Sequence, residues 1–266
     1  MANIEGNSQN PVEYELDGDI AYIRLDRPDN LNAVTPSLYE GLEQGLSNSL
    51  DDDARVVVLE GNGRAFCVGA DMKNHDKEDR TQKERREYVW RAQEAAKSIQ
   101  THPKPVIAKV QGYAIGAGAE LALSADFILI SEEAEMRFPE LSIGTYIGGG
   151  VTYTLSGRVG QARAKELILT SASLTGTEAA SEGIVTSAHP EEELKEAVDR
   201  LATDIAKEAP IPVEFAKSQF GRVAQRTRDD ILTAEAEALL ACMATEDWRE
   251  GIDAFAEDRE PIFKGK

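Results

Sequence analysis

This sequence of 266 residues contains only two cysteines and three histidines, so it has few of the side chains that commonly hold metals or form disulfides. Cys67 and Cys242 lie too far apart along the chain for a zinc motif, and one pair of cysteines makes no disulfide framework. The histidines show no metal-ligand spacing either. We therefore expect a protein without a bound metal that folds in a reducing interior, and we expect that interior to be the cytoplasm.

Long apolar runs are also missing. The sequence nowhere approaches the ~18 uninterrupted apolar residues that a membrane span requires, and residues 1–16 have neither the basic nor the apolar part of a secretory signal. We therefore expect no membrane partner.

Basic residues are in the minority, since 29 Lys and Arg stand against 48 Asp and Glu, for a net charge of −19. This balance argues against a nucleic-acid partner, because phosphate backbones bind basic surfaces. It fits a halophilic protein in a salt-rich cytoplasm, where charges are screened over short distances, or an ordinary acidic cytosolic protein.

The pattern of apolar residues predicts an α/β protein. Residues 12–26 alternate around a central Asp-Gly-Asp and predict a β-hairpin, whereas residues 35–53 predict a helix with Thr35 as its N-cap. The apolar runs 55–61 and 104–110 predict buried strands. A helix over about 81–100, a second helix through Glu120 and a strand over 126–130 complete this part. The repeated order of strand, turn, helix and strand predicts parallel strands joined by crossover helices.

The rest of the chain is predicted to be mostly helical. Its patterned segments lie near 161–170, 177–182, 191–208 and 228–256. We expect an α/β core over residues 1–195 and a helical C-terminal region over residues 196–266 that packs on the core or on a neighbouring subunit.

Two strand-to-helix turns, at 64–72 (RAFCVGADM) and 112–120 (GYAIGAGAE), place small residues where a helix should begin. The first N–H groups of a helix lack intrahelical partners, and small residues allow a ligand to approach them closely. Two such turns on neighbouring strands could direct two N–H donors at one oxygen, as in an oxyanion hole. Tight packing of helix against strand is the alternative explanation for each turn. A dinucleotide fingerprint is disfavoured, because Leu121 occupies the place of the third glycine.

These turns belong to longer segments that resemble the enoyl-CoA hydratase/isomerase family, or crotonase superfamily, and its hydratases most closely. The resemblance rests on residues 25–34 (LDRPDNLNAV), 64–72, 104–144, 157–185 and 251–263 (GIDAFAEDREPIF), in the family's order. It implies a crotonase-like spiral of ββα units followed by a helical C-terminal trimerisation region. It further implies an acyl-CoA substrate, no metal or redox cofactor, and assembly into a homotrimer or a dimer of trimers.

The resemblance also assigns site residues by motif. It implies that the backbone N–H groups of Ala70 and Ala117 form the oxyanion hole, although Ala117 stands where the family usually has glycine. Glu120 and Glu140 match the two catalytic glutamates of the hydratases. The residues implied to bind substrate or CoA are Arg27, Asn32, Val68, Gly69, Asp71, Met72, Gly116 and Arg259.

Two carboxyl groups suit the hydration of a 2-enoyl thioester to a 3-hydroxyacyl thioester. One carboxylate can activate the water while the other holds it or transfers a proton. Neighbouring carboxyl groups tend to differ in apparent pKa, because both do not easily ionise together. The sequence leaves open which glutamate takes which role.

The sequence departs from the hydratase pattern after Glu140. In residues 144–155 (GTYIGGGVTYTL), Ile147 replaces a proline, Val151 a glycine, Tyr153 a glutamine and Thr154 an arginine. These changes leave the acyl specificity open. An isomerase, or another lyase or hydrolase of the superfamily, is the alternative enzyme. An RNA-binding or assembly subunit is disfavoured by the net charge of −19 and by the presence of both glutamates.

Overall fold

The predicted hairpin and the parallel strands after it form a six-stranded sheet in the computed structural model, which describes residues 10–72 and 81–266. The strands of the protein are β1 (Val12–Asp17), β2 (Ile20–Leu25), β3 (Val56–Gly61), β4 (Val106–Val110), β5 (Tyr113–Ile115), β6 (Phe127–Ser131), β7 (Glu135–Arg137), β8 (Ser173–Thr175) and β9 (Ser187–His189). The order in the six-stranded sheet is β1-β2-β3-β4-β6-β9, in which β1 is antiparallel to β2 and the other neighbours are parallel. The predicted hairpin and the strands predicted over 55–61, 104–110 and 126–130 are thus confirmed, whereas β9 was not predicted.

A second sheet consists of β5, β7 and β8, in that order. Its strands have three residues each, too few for the alternation by which strands are predicted from sequence. Gly112 turns the chain from β4 into β5 with a φ of +60°, and a Cβ at this position would lie 2.0 Å from the carbonyl oxygen of Arg64. Only glycine therefore allows the two loops to approach this closely.

Nine helices lie within the described residues. They are α1 (Pro36–Asp51), α2 (Gln82–Thr101), α3 (Ala117–Ser124), α4 (Val151–Thr170), α5 (Gly176–Ser181), α6 (Glu191–Ala206), α7 (Pro210–Phe220), α8 (Arg228–Met243) and α9 (Glu246–Glu257). The predicted N-cap is confirmed, because the Thr35 side chain accepts a hydrogen bond from the N–H of Leu38.

Two helix predictions need correction. The helix predicted near 161–170 already begins at Val151, and a non-helical Gly160, at φ 76°, kinks it. The segment predicted over 228–256 is two helices, because the side chain of Thr245 caps a new helix by accepting from the N–H of Trp248. Short polar side chains favour such caps over helix interiors.

Helices cover both faces of the large sheet. One face packs against α1, α2 and α3 through side chains such as Leu38, Leu42 and Ile99. The other face packs against α6, which contributes Leu194 and Val198. The predicted division into residues 1–195 and 196–266 stays a prediction. Its boundary falls within helix α6. No helix among the described residues is long and apolar enough to cross a membrane.

The last helices leave apolar side chains exposed in the single chain. No residue of α7 or α8 is buried, although the structure describes both helices in full. The exposed large apolar side chains of this region include Phe220, Leu232, Leu239, Leu240, Ile252 and Phe255.

Candidate active site

The first of the two predicted turns follows β3 and runs between two other segments. On one side, Val34 donates its N–H to the carbonyl of Gly69 and accepts from the N–H of Asp71. On the other side, Cys67 exchanges hydrogen bonds with Tyr113 and Ile115. Because both bonds to Val34 come from the neighbours of Ala70, the N–H of Ala70 itself points away from Val34.

The second turn, residues 112–120, contains the short strand β5 and leads into α3. Gly116, at φ 54°, is the N-cap of this helix, so Ala117 is its first residue and its N–H has no intrahelical partner. A Cβ at Gly69 would lie 3.3 Å from the nitrogen of Ala117 and 2.6 Å from the carbonyl oxygen of Ile115. A Cβ at Gly118 would lie 2.1 Å from the carbonyl oxygen of Cys67. Glycine at these two positions therefore lets the turns meet.

The two predicted oxyanion donors thus lie in adjacent turns. Within residues 10–72 and 81–266, no acceptor pairs with the N–H of Ala70 or of Ala117. Both residues are partly exposed. Ala117 sits at the positive end of the α3 dipole, which favours an acceptor that carries negative charge.

Glu120 lies one turn further along α3 and is buried, with 8% of its surface exposed. Its Oε1 accepts a hydrogen bond of 2.6 Å from the N–H of Gly148. Burial raises the pKa of Glu120 to about 7; this hydrogen bond acts in the opposite direction, and the nearby charge of Glu140 adds to the increase. Glu120 therefore exchanges protons near neutral pH.

Glu140 follows β7, and its carboxyl group lies against Gly116, the N-cap of α3. A Cβ at Gly116 would lie 2.8 Å from Oε1 of Glu140, so the glycine makes room for this carboxyl group. Glu140 is only 7% exposed, and its buried Oε2 has no hydrogen-bond partner in the described chain. Burial also raises the pKa of Glu140. The structure thus brings together the two glutamates that the sequence predicted.

The raised pKa of Glu120 makes folding stability depend on pH. The unfolded chain ionises this carboxyl near pH 4.5 and the folded protein only near pH 7, so ionisation destabilises the fold progressively between these values and fully above them. Glutamine cannot ionise and can still accept from Gly148. We therefore expect Glu120→Gln to increase the free energy of unfolding at pH 8 by roughly 2–3 kcal/mol.

Chemical denaturation at one fixed protein concentration, at pH 8 and at pH 4.5, measures this effect. At pH 4.5 the carboxyl of Glu120 is protonated in the folded protein and half ionised in the unfolded chain, so we expect wild type and variant to differ little. A variant that is less stable than wild type at pH 8 would contradict the assignment.

Three of the predicted binding residues form the framework of the first turn. Asn32 is fully buried, and its amide donates to the carbonyls of Asn62 and Ala65 and accepts from the N–H of Arg27. The side chain of Arg27 bonds the carbonyl of Ala33 and forms an ion pair with Asp71. Asn32 therefore lies inside the protein and supports the loops, whereas Arg27 and Asp71 tie the N-terminal segment to the turn.

The other predicted binding residues fall into two groups. Val68 is partly exposed and Met72 is exposed, both in the first turn beside Gly69 and Ala70. Arg259 follows the end of α9, where its guanidinium pairs with Glu250 and Glu257 rather than with a residue of either turn. The single chain thus does not bring Arg259 to the carboxyl pair. No group of three potential metal ligands occurs among the described residues.

A contact that the sequence did not predict is the donor for Glu120. The N–H of Gly148 comes from the glycine-rich segment 144–155, whose unusual composition was the available signal. In the same segment Ile147 is buried, while Tyr146 and Tyr153 are exposed.

Comparison with known proteins gives consistent matches along the chain. The family model described as Enoyl-CoA hydratase/isomerase matches residues 15–266. The chain is 32% identical over 250 residues to the 2,3-dehydroadipyl-CoA hydratase of Escherichia coli (strain K12), covering 93% of this chain and 96% of that protein. It is 34% identical over 249 residues to the mitochondrial enoyl-CoA hydratase of Pongo abelii, covering 92% of this chain and 83% of that protein.

Its fold is similar to a crystal structure of an enoyl-CoA hydratase from Bacillus anthracis. The TM-score is 0.92 at 32% sequence identity, and the match covers 97% of this chain and 100% of the other.

Proposed function

Because this chain belongs to the enoyl-CoA hydratase/isomerase family, we propose that it hydrates 2-enoyl-CoA thioesters to 3-hydroxyacyl-CoA and catalyses the reverse dehydration. The predicted crotonase-type α/β fold is confirmed by the match to an enoyl-CoA hydratase structure. The observation that carries the proposal is a pair of buried carboxyl groups, Glu120 and Glu140, beside two backbone N–H groups without acceptors in the described chain. No metal or redox cofactor is needed for this chemistry.

In the proposed reaction, the N–H groups of Ala70 and Ala117 bind the thioester oxygen. Negative charge grows on this oxygen as the double bond is attacked, so donors placed in advance stabilise the transition state more than the ground state. Val68, Gly69, Met72 and Gly116 lie in the two turns that carry these donors, and we propose that they line the substrate site.

The carboxyl pair then moves the protons. The oxygen of one water bonds to C3 while a carboxylate accepts one of its protons, and C2 of the enolate receives a proton from the pair. One water is thereby added across the double bond. We propose syn addition, which requires that both carboxyl groups face the same side of the substrate double bond. With the pKa of Glu120 at about 7, this residue can both take up and release a proton near neutral pH.

The direct test is to add the protein to crotonyl-CoA. We expect the absorbance of the conjugated enoyl thioester to decrease and 3-hydroxybutyryl-CoA to appear by mass spectrometry. Protein carrying Glu120→Gln, purified in the same way, controls for contaminating activity. If the protein adds water to no 2-enoyl-CoA, tested from short to long acyl chains, the proposal is wrong.

The segment 144–155 is the proposed determinant of acyl specificity, because its Gly148 contacts Glu120 and its other residues flank that contact along the chain. A panel of acyl-CoA substrates that differ in chain length, branching and terminal polarity would identify the preferred acyl group. Conversion of a 3-enoyl-CoA to its 2-isomer without hydration would instead support the isomerase alternative.

We further propose that the protein works as a homotrimer or a dimer of trimers. The exposed apolar side chains of α7 to α9 support this, because a single soluble chain rarely leaves so many of them in contact with water. In such an assembly, Arg259 or residues of a neighbouring chain could contact CoA. Light scattering after gel filtration should give three or six times the chain mass of 29.0 kDa; a monomer would contradict this proposal.

A salt-rich cytoplasm is the proposed setting. A net charge of −19 makes the surface repel itself, and salt screens this repulsion. Stability that increases between low and molar KCl would support a halophilic source, whereas stability that does not depend on KCl would contradict it. Fractionation of the source cells would test the location.

A further inference from the structure

A loop of three glycines, residues 148–150, lies directly against Glu120. The N–H of Gly148 donates to Oε1 of Glu120 at 2.6 Å. A Cβ at Gly149 would lie 2.8 Å from the Cβ of Glu120, so the backbone of the loop touches the stem of this side chain. The position of the loop therefore decides how well Glu120 is hydrogen-bonded.

The glycines alone do not define that position. Gly149 and Gly150 have φ values of +59° and +76°, and glycine loses more conformational freedom on ordering than any other residue. The carbonyls of Gly148 and Gly150 accept hydrogen bonds from N–H groups at the start of α4. The carbonyl of Gly149 accepts its hydrogen bond from a partner in another part of the chain.

That partner is the amide of Gln100, near the end of α2. Its Nε2 donates to the carbonyl oxygen of Gly149 at 2.9 Å and to Oγ of Ser124 at 3.2 Å. Ser124 in turn donates to the backbone carbonyl of Glu120 at 2.9 Å. One half-buried amide thus links α2 to the glycine loop and to α3, the helix that carries Glu120.

We propose that Gln100 is a positioning residue, which holds the carbonyl of Gly149 so that the N–H of Gly148 stays directed at the carboxylate of Glu120. The inference rests on the proposed function, in which Glu120 exchanges protons with the substrate. Gln100 itself does not touch the substrate in this mechanism; it acts through the loop.

Loss of the Gln100 amide should change the pKa of Glu120 in one direction. The hydrogen bond from Gly148 favours the ionised form of Glu120 and lowers its pKa, in opposition to burial. If the loop loses its anchor, this bond lengthens and the pKa of Glu120 rises. The limb of the pH–rate profile that Glu120 controls should therefore move to higher pH, whether Glu120 works as the base or as the acid.

The test is Gln100→Met, because methionine has a similar length and apolar stem but no N–H donor. We expect the Glu120 limb of the kcat/KM profile for crotonyl-CoA hydration to move up by about one pH unit. The matched control is Gln44→Met on α1, where the exposed amide bonds only the side chain of Asn48 in the described structure. The control should leave the limb in place.

A second readout does not depend on turnover. A carbon-13 NMR titration of labelled glutamate side chains, with the Glu120 signal identified by its loss in Glu120→Gln, should show the same upward change in pKa. If Gln100→Met does not fold, Gln100→Asn replaces it, because the shorter side chain keeps an amide that cannot span Gly149 and Ser124 together.

The outcomes separate the two proposals. A wild-type protein that hydrates no enoyl-CoA overturns the proposed function, and the NMR titration then still decides whether Gln100 controls Glu120. An active wild type whose limb and Glu120 titration are unchanged by the Gln100 variants overturns this inference alone. Lower activity with an unmoved limb would assign Gln100 a merely structural role and would also overturn it.

Discussion

Replacing Ala117 by proline should lower kcat by about 10²–10³-fold while the protein remains folded, because the variant lacks one oxyanion donor. Proline has no backbone N–H, so the substitution removes the proposed donor, and a ring carbon takes the place of the amide hydrogen beside the bound oxygen. Glycine at the same position keeps the N–H and restores the residue type usual in the family. Ala117→Gly is therefore the matched control, and we expect its kcat to stay close to that of wild type.

The local geometry explains why this proline should be tolerated. Ala117 is the first residue of α3, the helix position at which the missing N–H breaks no intrahelical hydrogen bond and the fixed φ is suitable. The preceding residue is also compatible. Gly116 has φ 54° and ψ −122°, the mirror image of the extended conformation that residues before proline adopt, and glycine accepts it at no steric cost.

Steady-state kinetics with crotonyl-CoA, together with circular dichroism and thermal unfolding, would measure the effect. A folded Ala117→Pro protein with wild-type kcat would show that the N–H of Ala117 does not bind the thioester oxygen. A loss in Ala117→Gly as large as that in the proline variant would contradict the donor role as well.

Glu120→Gln and Glu140→Gln should each lower kcat by about 10²-fold or more, the scale of lost general acid–base catalysis. Glutamine has nearly the same shape as glutamate, so the variants test proton transfer rather than packing. Glu120→Gln can still accept from the N–H of Gly148, which preserves the loop. The double variant should lose little more than either single one, because residues that act as a unit show non-additive effects.

Glu133→Gln is a suitable control, since this glutamate is exposed in the turn between β6 and β7. It should leave kcat unchanged. Wild-type turnover in Glu120→Gln or in Glu140→Gln would rule out the mechanism with two carboxylates. The pH profile adds a further check, because a titration near pH 7 should be present in wild type and absent in Glu120→Gln.

The helices and long strands could be predicted because their signals are local. Helix α1 has a threonine cap, a proline at its first position and leucines on one face. Strand β3 is a short run of buried apolar residues. Strands β5, β7, β8 and β9 were not predicted, because three residues carry too little pattern and their pairing joins residues far apart in sequence.

Helix boundaries were predicted less well where glycine intervenes. The first half of α4 was missed, since its N-cap is Gly150 and Gly160 interrupts it, both residues that lower the local signal for a helix. The break between α8 and α9 was missed because only Ala244 and Thr245 separate the two helices, too short an interruption to disturb the sequence pattern.

The family, the two turns of small residues and the two glutamates can all be recognised in the sequence, because each is marked by a local motif with a chemical reason for its composition. What surrounds these residues is set by the three-dimensional fold. It placed Asn32 inside the protein, gave Glu120 its donor at Gly148 and its raised pKa, and linked that donor to Gln100. Burial and hydrogen bonding depend on segments far apart along the chain that folding brings into contact, and no local pattern specifies them.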